Sequence, residues 1–226
     1  MNGYLEALQA KLNEVNYQKL AAIPHTKVHE FIAKASDLCN CKDIFICNDS
    51  PEDVAYIRQK AIETGEEKVL AMPGHTVHFD GIHDQGRDRE ATKYLVPKGV
   101  TLSKALNQID RQEGLAEVKS LLRDSMTGRT MIVRFISLGP PHSIFTVLGL
   151  QCTDSWYVAH SESLLYRPGY EVFRNADPSQ EILRVLHSAG KLDKNMVSAE
   201  HEKKRIYIDH MDNTIYSVNT QYAGNS

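Results

Sequence analysis

Near the N-terminus the apolar positions recur at helical spacing. Leu5, Leu8, Leu12 and Val15 predict an amphipathic helix over residues 3 to 20, and Val28, Phe31, Ile32, Ala35 and Leu38 predict a second. Asp43 to Cys47 reads as a short apolar strand. Ser50-Pro51-Glu52-Asp53 is a helix start, because serine can cap, proline suits the first turn and acids favour the positive end of the dipole. That helix runs to about Thr64 and stops at Gly65. From Val69 the pattern loosens. Gly74 to Arg89 is loop-like, with three histidines, three aspartates and three glycines. A strand follows at about Lys93 to Val96, and Leu102 to Met126 predicts mostly helix, interrupted near Gly114.

The densest apolar stretch comes next. Thr130 to Ile136 is rich in β-branched and aromatic residues, with Met131, Val133 and Phe135 alternating against Thr130, Ile132 and Arg134. Gly139-Pro140-Pro141 breaks it, since proline cannot donate to a sheet ladder. Ile144 to Leu150 is a second run of strand length, so the two read as adjacent core strands. Ser155 to Arg167 fits strand or helix, Pro168 ends it, and Gly169 to Arg174 makes a short helical turn. Ile182 to His187 is a strand. Lys204 to Asp209 and Thr214 to Val218 alternate around Met211-Asp212-Asn213, a hairpin signal. The expected fold class is α/β, a mixed β-sheet covered by helices with an N-terminal helical segment. One domain over 1–226 is the simplest count.

Composition narrows the function classes. The 226 residues are 42% hydrophobic and 24% charged with a net charge of −3, ordinary for a globular protein and no footprint for nucleic acid. No apolar run reaches the roughly 18 residues of a membrane span. The acidic, amphipathic start argues against a secretory signal. Cys39-x-Cys41, with Cys47 and Cys152, matches neither a zinc nor a redox spacing, so free thiols in a reducing cytoplasm are expected.

Three places could carry chemistry. In Gly86-Arg87-Asp88-Arg89 a guanidinium ahead of a strand can present a planar fork to a carboxylate or phosphate. The plainer reading is a loop charge paired with Asp84 or Asp88. Tyr222-Ala223-Gly224-Asn225-Ser226 follows the hairpin strand, and its small residues let backbone N–H groups approach a ligand. His75, His78, Asp80, His83 and Asp84 could supply metal ligands, although no HxxxH or HExxH helix pattern supports that. His25, His29, His142, His160, His201 and His210 have no evident partners. GxSxG, GxGxxG after a strand and GxxxxGK[ST] are all absent.

The wording of the core stretch is more specific than its pattern. Gly128-Arg129-Thr130-Met131, Ser137-Leu138-Gly139-Pro140-Pro141 and the run from Leu150 to Ser161, LQCTDSWYVAHS, resemble phosphoenolpyruvate carboxykinase of the GTP-using class in its archaeal form. Asp84-Gln85-Gly86-Arg87, leading to Lys93-Tyr94-Leu95-Val96, is similar to that family's substrate-arginine segment. Arg87 is the matching residue and Arg89 the alternative. Residues 222–226 resemble a substrate loop of tyrosine, two glycines, asparagine and serine, with Ala223 replacing the first glycine. His187-Ser188-Ala189-Gly190 also resembles a family segment and reads as structural.

The resemblance implies an N-terminal lobe that grips oxaloacetate or phosphoenolpyruvate in a gluconeogenic decarboxylation and phosphoryl transfer. Arg87 would clamp a carboxylate, the 222–225 turn would donate backbone hydrogen bonds, and Tyr222 would lie where the carboxyl group departs. In the full enzyme GTP and Mn2+ or Mg2+ are held beyond that turn, by a C-terminal lobe missing here. The chain alone is therefore expected to hold no cofactor and to be inactive. Two other classes compete: a non-catalytic small-anion binding or assembly module, and a metal-dependent hydrolase using His75, His78, Asp80 and His83.

Overall fold

The computed structural model describes residues 3–84, 88–141 and 143–221. The helix expected over 3 to 20 is two helices. α1 (Gly3–Leu8) runs into a 3-10 turn, Gln9–Lys11, and stops where Leu12 becomes extended. Asn13 then caps α2 (Glu14–Ala21), its side-chain oxygen accepting from the Asn16 N–H at 2.9 Å. α3 (Thr26–Cys39), β1 (Asp43–Ile46) and α4 (Pro51–Glu63) lie where the apolar spacing puts them. Ser50 caps α4 by accepting from the Asp53 N–H.

The loop-like stretch contains a small hairpin sheet, β2 (Lys68–Val69) with β3 (Thr76–Val77), before β4 (Thr92–Val96). The helix expected from Leu102 begins later. β5 (Gln108–Asp110) comes first, and the Asp110 carboxylate starts α5 (Arg111–Leu122) by accepting from the N–H groups of Gln112 and Glu113. Gly114 does not interrupt that helix. A Cβ there would lie 2.4 Å from Leu95 Cδ2 and 3.0 Å from Ile109 Cγ2, so glycine lets the helix settle directly on the sheet.

β6 (Thr130–Leu138) and β7 (Val147–Thr153) pair antiparallel, the adjacent core strands the pattern predicts. β7 starts later than expected, because the hydroxyls of Ser143 and Thr146 fold the preceding residues into a turn and leave Ile144 and Phe145 exposed. The stretch after Ser155 is helix, α6 (Trp156–Leu165), with Ser155 as its cap. β8 (Arg167–Pro168), α7 (Tyr170–Arg174), β9 (Ile182–Ser188), β10 (Arg205–Asp209) and β11 (Thr214–Val218) follow, the last two forming the predicted hairpin.

The main sheet runs β1-β6-β7-β9-β11-β10-β4-β5, with β8 added beside β6, and mixes parallel and antiparallel pairs. The alternation along β6 sorts two cores. Met131, Val133 and Phe135 join Leu20, Phe31, Val118 and Phe173 from α2, α3, α5 and α7. Ile132 faces the other way and packs with Ile57 and Ala61 of α4 and Trp156 and Ala159 of α6. With both faces covered, β6 is buried from Met131 to Ser137. The architecture is thus a mixed sheet covered by helices with an N-terminal helical segment, as expected. All four cysteines are free and buried. No helix among the described residues is long and apolar enough to cross a membrane.

Candidate functional site

Register brings the polar strand ends together. Thr92 of β4 pairs with Ile206 of β10, and Arg205 of β10 pairs with Val218 of β11. Val218 in turn pairs with Ser188 of β9, and Cys152 of β7 with Leu186. One end of the sheet therefore collects the approaches to β4 and β10 and the exits of β7, β9 and β11.

A continuous buried network fills that end. Lys204, just before β10 and 3% exposed, donates to the His83 carbonyl and pairs with Asp84 at 3.2 Å and Asp88 at 3.1 Å. It thus staples both ends of the 85–87 segment. Burial alone would raise the Asp88 carboxyl, but the Ala91 N–H and the Lys204 ammonium outweigh it and hold the group below its ordinary range. Asp84 also accepts from the Thr220 hydroxyl at 2.9 Å. The Thr220 carbonyl accepts from His187 Nε2 at 2.9 Å. Burial lowers the His187 pKa, so the ring is neutral, its proton sits on Nε2, and Nδ1 accepts from the Thr153 hydroxyl at 2.7 Å.

Asp154 anchors the neighbouring part of the same end. Its carboxylate accepts from the Ser188 hydroxyl at 2.7 Å and the Ala189 N–H at 2.9 Å, and pairs with Arg129 at 2.7 Å. Gly190 has φ +67°, and a Cβ there would fall 1.9 Å from Asn219 Oδ1, so only glycine fits. His187-Ser188-Ala189-Gly190 is a structural support, as the sequence suggests. Asn219, Thr220 and Gln221 are all buried, and Gln221 donates to the Met196 carbonyl at 2.6 Å. The chain is thus held firmly up to Gln221.

Arg87, Tyr222, Ala223, Gly224 and Asn225 lie outside the described residues. Their neighbours do not: Asp84 and Thr220, which flank the two expected halves of the clamp, are hydrogen-bonded to each other. Arg89 is exposed, and its guanidinium donates to the Ala105 carbonyl at 3.4 Å. Sequence reasoning missed Lys204, Thr153, Asp154 and Thr220. A lone lysine at a strand start carries no spacing signal, and its partners come from distant segments.

Among the described residues, the histidine-rich stretch does not gather the ligands that the alternative metal-site reading needs. No group of three His, Cys, Asp or Glu among the described residues is placed to hold a metal ion. His75 hydrogen-bonds the Pro73 carbonyl, His78 stacks on Tyr157 at 3.6 Å, and His83 stacks on His201 at 3.7 Å. Asp84 is taken by Lys204 and Thr220. The hydrolase reading loses its ligand set.

Comparison with known proteins agrees with the residues. The phosphoenolpyruvate carboxykinase N-terminal domain family matches residues 30–226. Phosphoenolpyruvate carboxykinase [GTP] of Pyrococcus abyssi is 50% identical over 222 residues, covering 98% of this chain and 36% of the relative. The protein of the same name from Sulfurisphaera tokodaii is 42% identical over 226 residues, covering 100% of this chain and 35% of the relative. The one from Chlamydia felis is 28% identical over 212 residues, covering 90% and 35%. This chain spans about a third of the length of the curated relatives it matches. The chain belongs to the phosphoenolpyruvate carboxykinase N-terminal domain family.

Proposed function

We propose that this chain is a single N-terminal substrate-binding domain of a GTP-dependent phosphoenolpyruvate carboxykinase, and that it fixes oxaloacetate or phosphoenolpyruvate for decarboxylation and phosphoryl transfer. Arg87 grips one carboxylate through two parallel N–H bonds, and backbone N–H groups of the 222–225 turn complete the grip. Loss of carbon dioxide from oxaloacetate leaves an enolate. A carboxylate held at two points keeps the breaking carbon–carbon bond aligned with the carbonyl that receives its electron pair. Tyr222 borders the departing carboxyl group. Mn2+ or Mg2+ and GTP, which supply charge stabilisation and the phosphoryl group in the full enzyme, would be held by the remainder of such an enzyme.

The observation that carries this reading is the 2.9 Å hydrogen bond between Thr220 and Asp84, which ties the neighbours of both clamp halves together. Lys204 adds to it. It pairs with both Asp84 and Asp88, on either side of residues 85–87 in the sequence.

Titrating oxalate against the wild-type chain, Arg87→Ala and Arg89→Ala tests the assignment. Arg87→Ala should weaken binding by about tenfold or more, the equivalent of ~1.4 kcal/mol, and Arg89→Ala by less than about twofold. Equal affinity of Arg87→Ala and wild type would contradict it, and loss of binding only in Arg89→Ala would move the clamp two residues on. Assayed alone for GTP-dependent phosphoenolpyruvate formation, the chain should show no turnover; measurable turnover would refute the division of labour.

A further inference from the structure

The two residues that lead into β10 meet the neighbours of both halves of the proposed grip. On one side the Lys203 carbonyl accepts from the Asn219 side-chain amide at 3.2 Å, one residue before Thr220. On the other the Lys204 ammonium meets the His83 carbonyl, Asp84 at 3.2 Å and Asp88 at 3.1 Å. Asp84 closes the ring by accepting from the Thr220 hydroxyl at 2.9 Å. Asn219 is fixed in its turn, its N–H donating to the Ser188 carbonyl at 3.0 Å with φ at +57°. His83, Asp84 and Asp88 are thus tied to Asn219 and Thr220 through a third segment of the chain.

Stability alone gives little reason for an ammonium in this place. The side chains of Lys204 and Asp84 are each only 3% exposed, and buried ion pairs can often be replaced by apolar residues of similar volume at no loss. An apolar set would fill the same space but would not fix direction. Charged hydrogen bonds from one ammonium hold Asp84 and Asp88 at set distances from each other and from Thr220. Such fixing matters where a ligand is gripped from two sides, because a misplacement of about 1 Å can cost on the order of a hundredfold in rate.

We infer that Lys204 is a positioning residue for the proposed substrate grip. By fixing Asp84, Asp88 and Thr220 against one another, it sets where the arginine between the two aspartates in sequence and the residues after Gln221 meet one carboxylate. The inference rests on the proposed substrate reading and adds to it a buried residue that touches no substrate.

Oxalate titrations of wild type, Lys204→Met, Arg87→Ala and the double variant test it, each at a temperature where circular dichroism shows a folded chain. A positioning residue acts through the arginine. Lys204→Met should therefore weaken oxalate by about fivefold in wild type and by less than about 1.5-fold where Arg87 is already alanine. A general loss of positive charge would instead weaken binding by the same factor in both backgrounds. Thr220→Val, which removes the hydroxyl without changing charge, is the second probe if Lys204→Met does not fold. It should weaken oxalate by about two- to threefold, again only where Arg87 is present. Unchanged affinity in these variants, or an equal loss with and without Arg87, would overturn the inference and leave the substrate reading standing. An Arg87→Ala chain that binds oxalate like wild type would overturn both.

Discussion

Lys204 shows how much of the site rests on one side chain. Its ammonium is buried between two carboxylates and a carbonyl, and Asp84 is buried with it. Lys204→Met leaves Asp84 charged and unpaired, which should destabilise the fold by about 3–5 kcal/mol in urea denaturation. Adding Asp84→Asn should recover part of that loss; no recovery would mean that packing of the lysine stem, and not charge, is what the residue supplies.

Glu162 is a second buried group with a measurable consequence. It is a fully buried residue of α6, and that burial raises its pKa to about 8, against the opposing pull of Arg134 and the nearby Gln151 amide, which stops short of hydrogen-bond geometry. Arg134 is already engaged by Asp49 at 3.2 Å and the Ser163 hydroxyl at 2.8 Å. A folded-state pKa above the unfolded one gives stability that is complete below about pH 4.5 and is lost as pH rises through about 8. Wild type should therefore lose on the order of a few kcal/mol across that window relative to Glu162→Gln, measured by denaturation at each pH. Parallel curves would refute the buried acid. Neither Lys204 nor Glu162 announces itself in sequence, because burial of a charge is set by distant segments and not by local spacing.

At the scale of elements, local chemistry wrote most of the fold. Ser50-Pro51 marked α4, the β-branched run marked β6, and Met211-Asp212-Asn213 marked the last hairpin. The misreadings have local causes as well. Asn13 caps and so divides what looked like one helix. Asp110 moves the start of α5, and Gly114 is a packing residue where a breaker was expected. Gly114→Ala gains helix propensity of about 1 kcal/mol but drives a methyl into Leu95 and Ile109, which typically costs 1–3 kcal/mol. A net loss of stability is expected in thermal unfolding, and Leu95→Ala should partly relieve it in the double variant. A stabilised single variant would show that the contact with the sheet is not tight.

For the whole molecule, the decisive fact is which strand ends share a side. Nothing in the spacing of residues 84 and 220 links them; the β9-β11-β10-β4 order does, and it emerges only when the sheet is assembled. The resemblance of short stretches pointed to the family, and the match over residues 30–226 establishes it. On the proposed function, Arg87 and residues 222–225 hold one dicarboxylate between them. Backbone amide NMR with added oxalate tests it most directly, since the proposed donors are backbone N–H groups. Amides of residues 222–225 should shift on saturation in wild type and lose that response in Arg87→Ala. Amides that stay still in wild type, or that shift equally without the guanidinium, would contradict it.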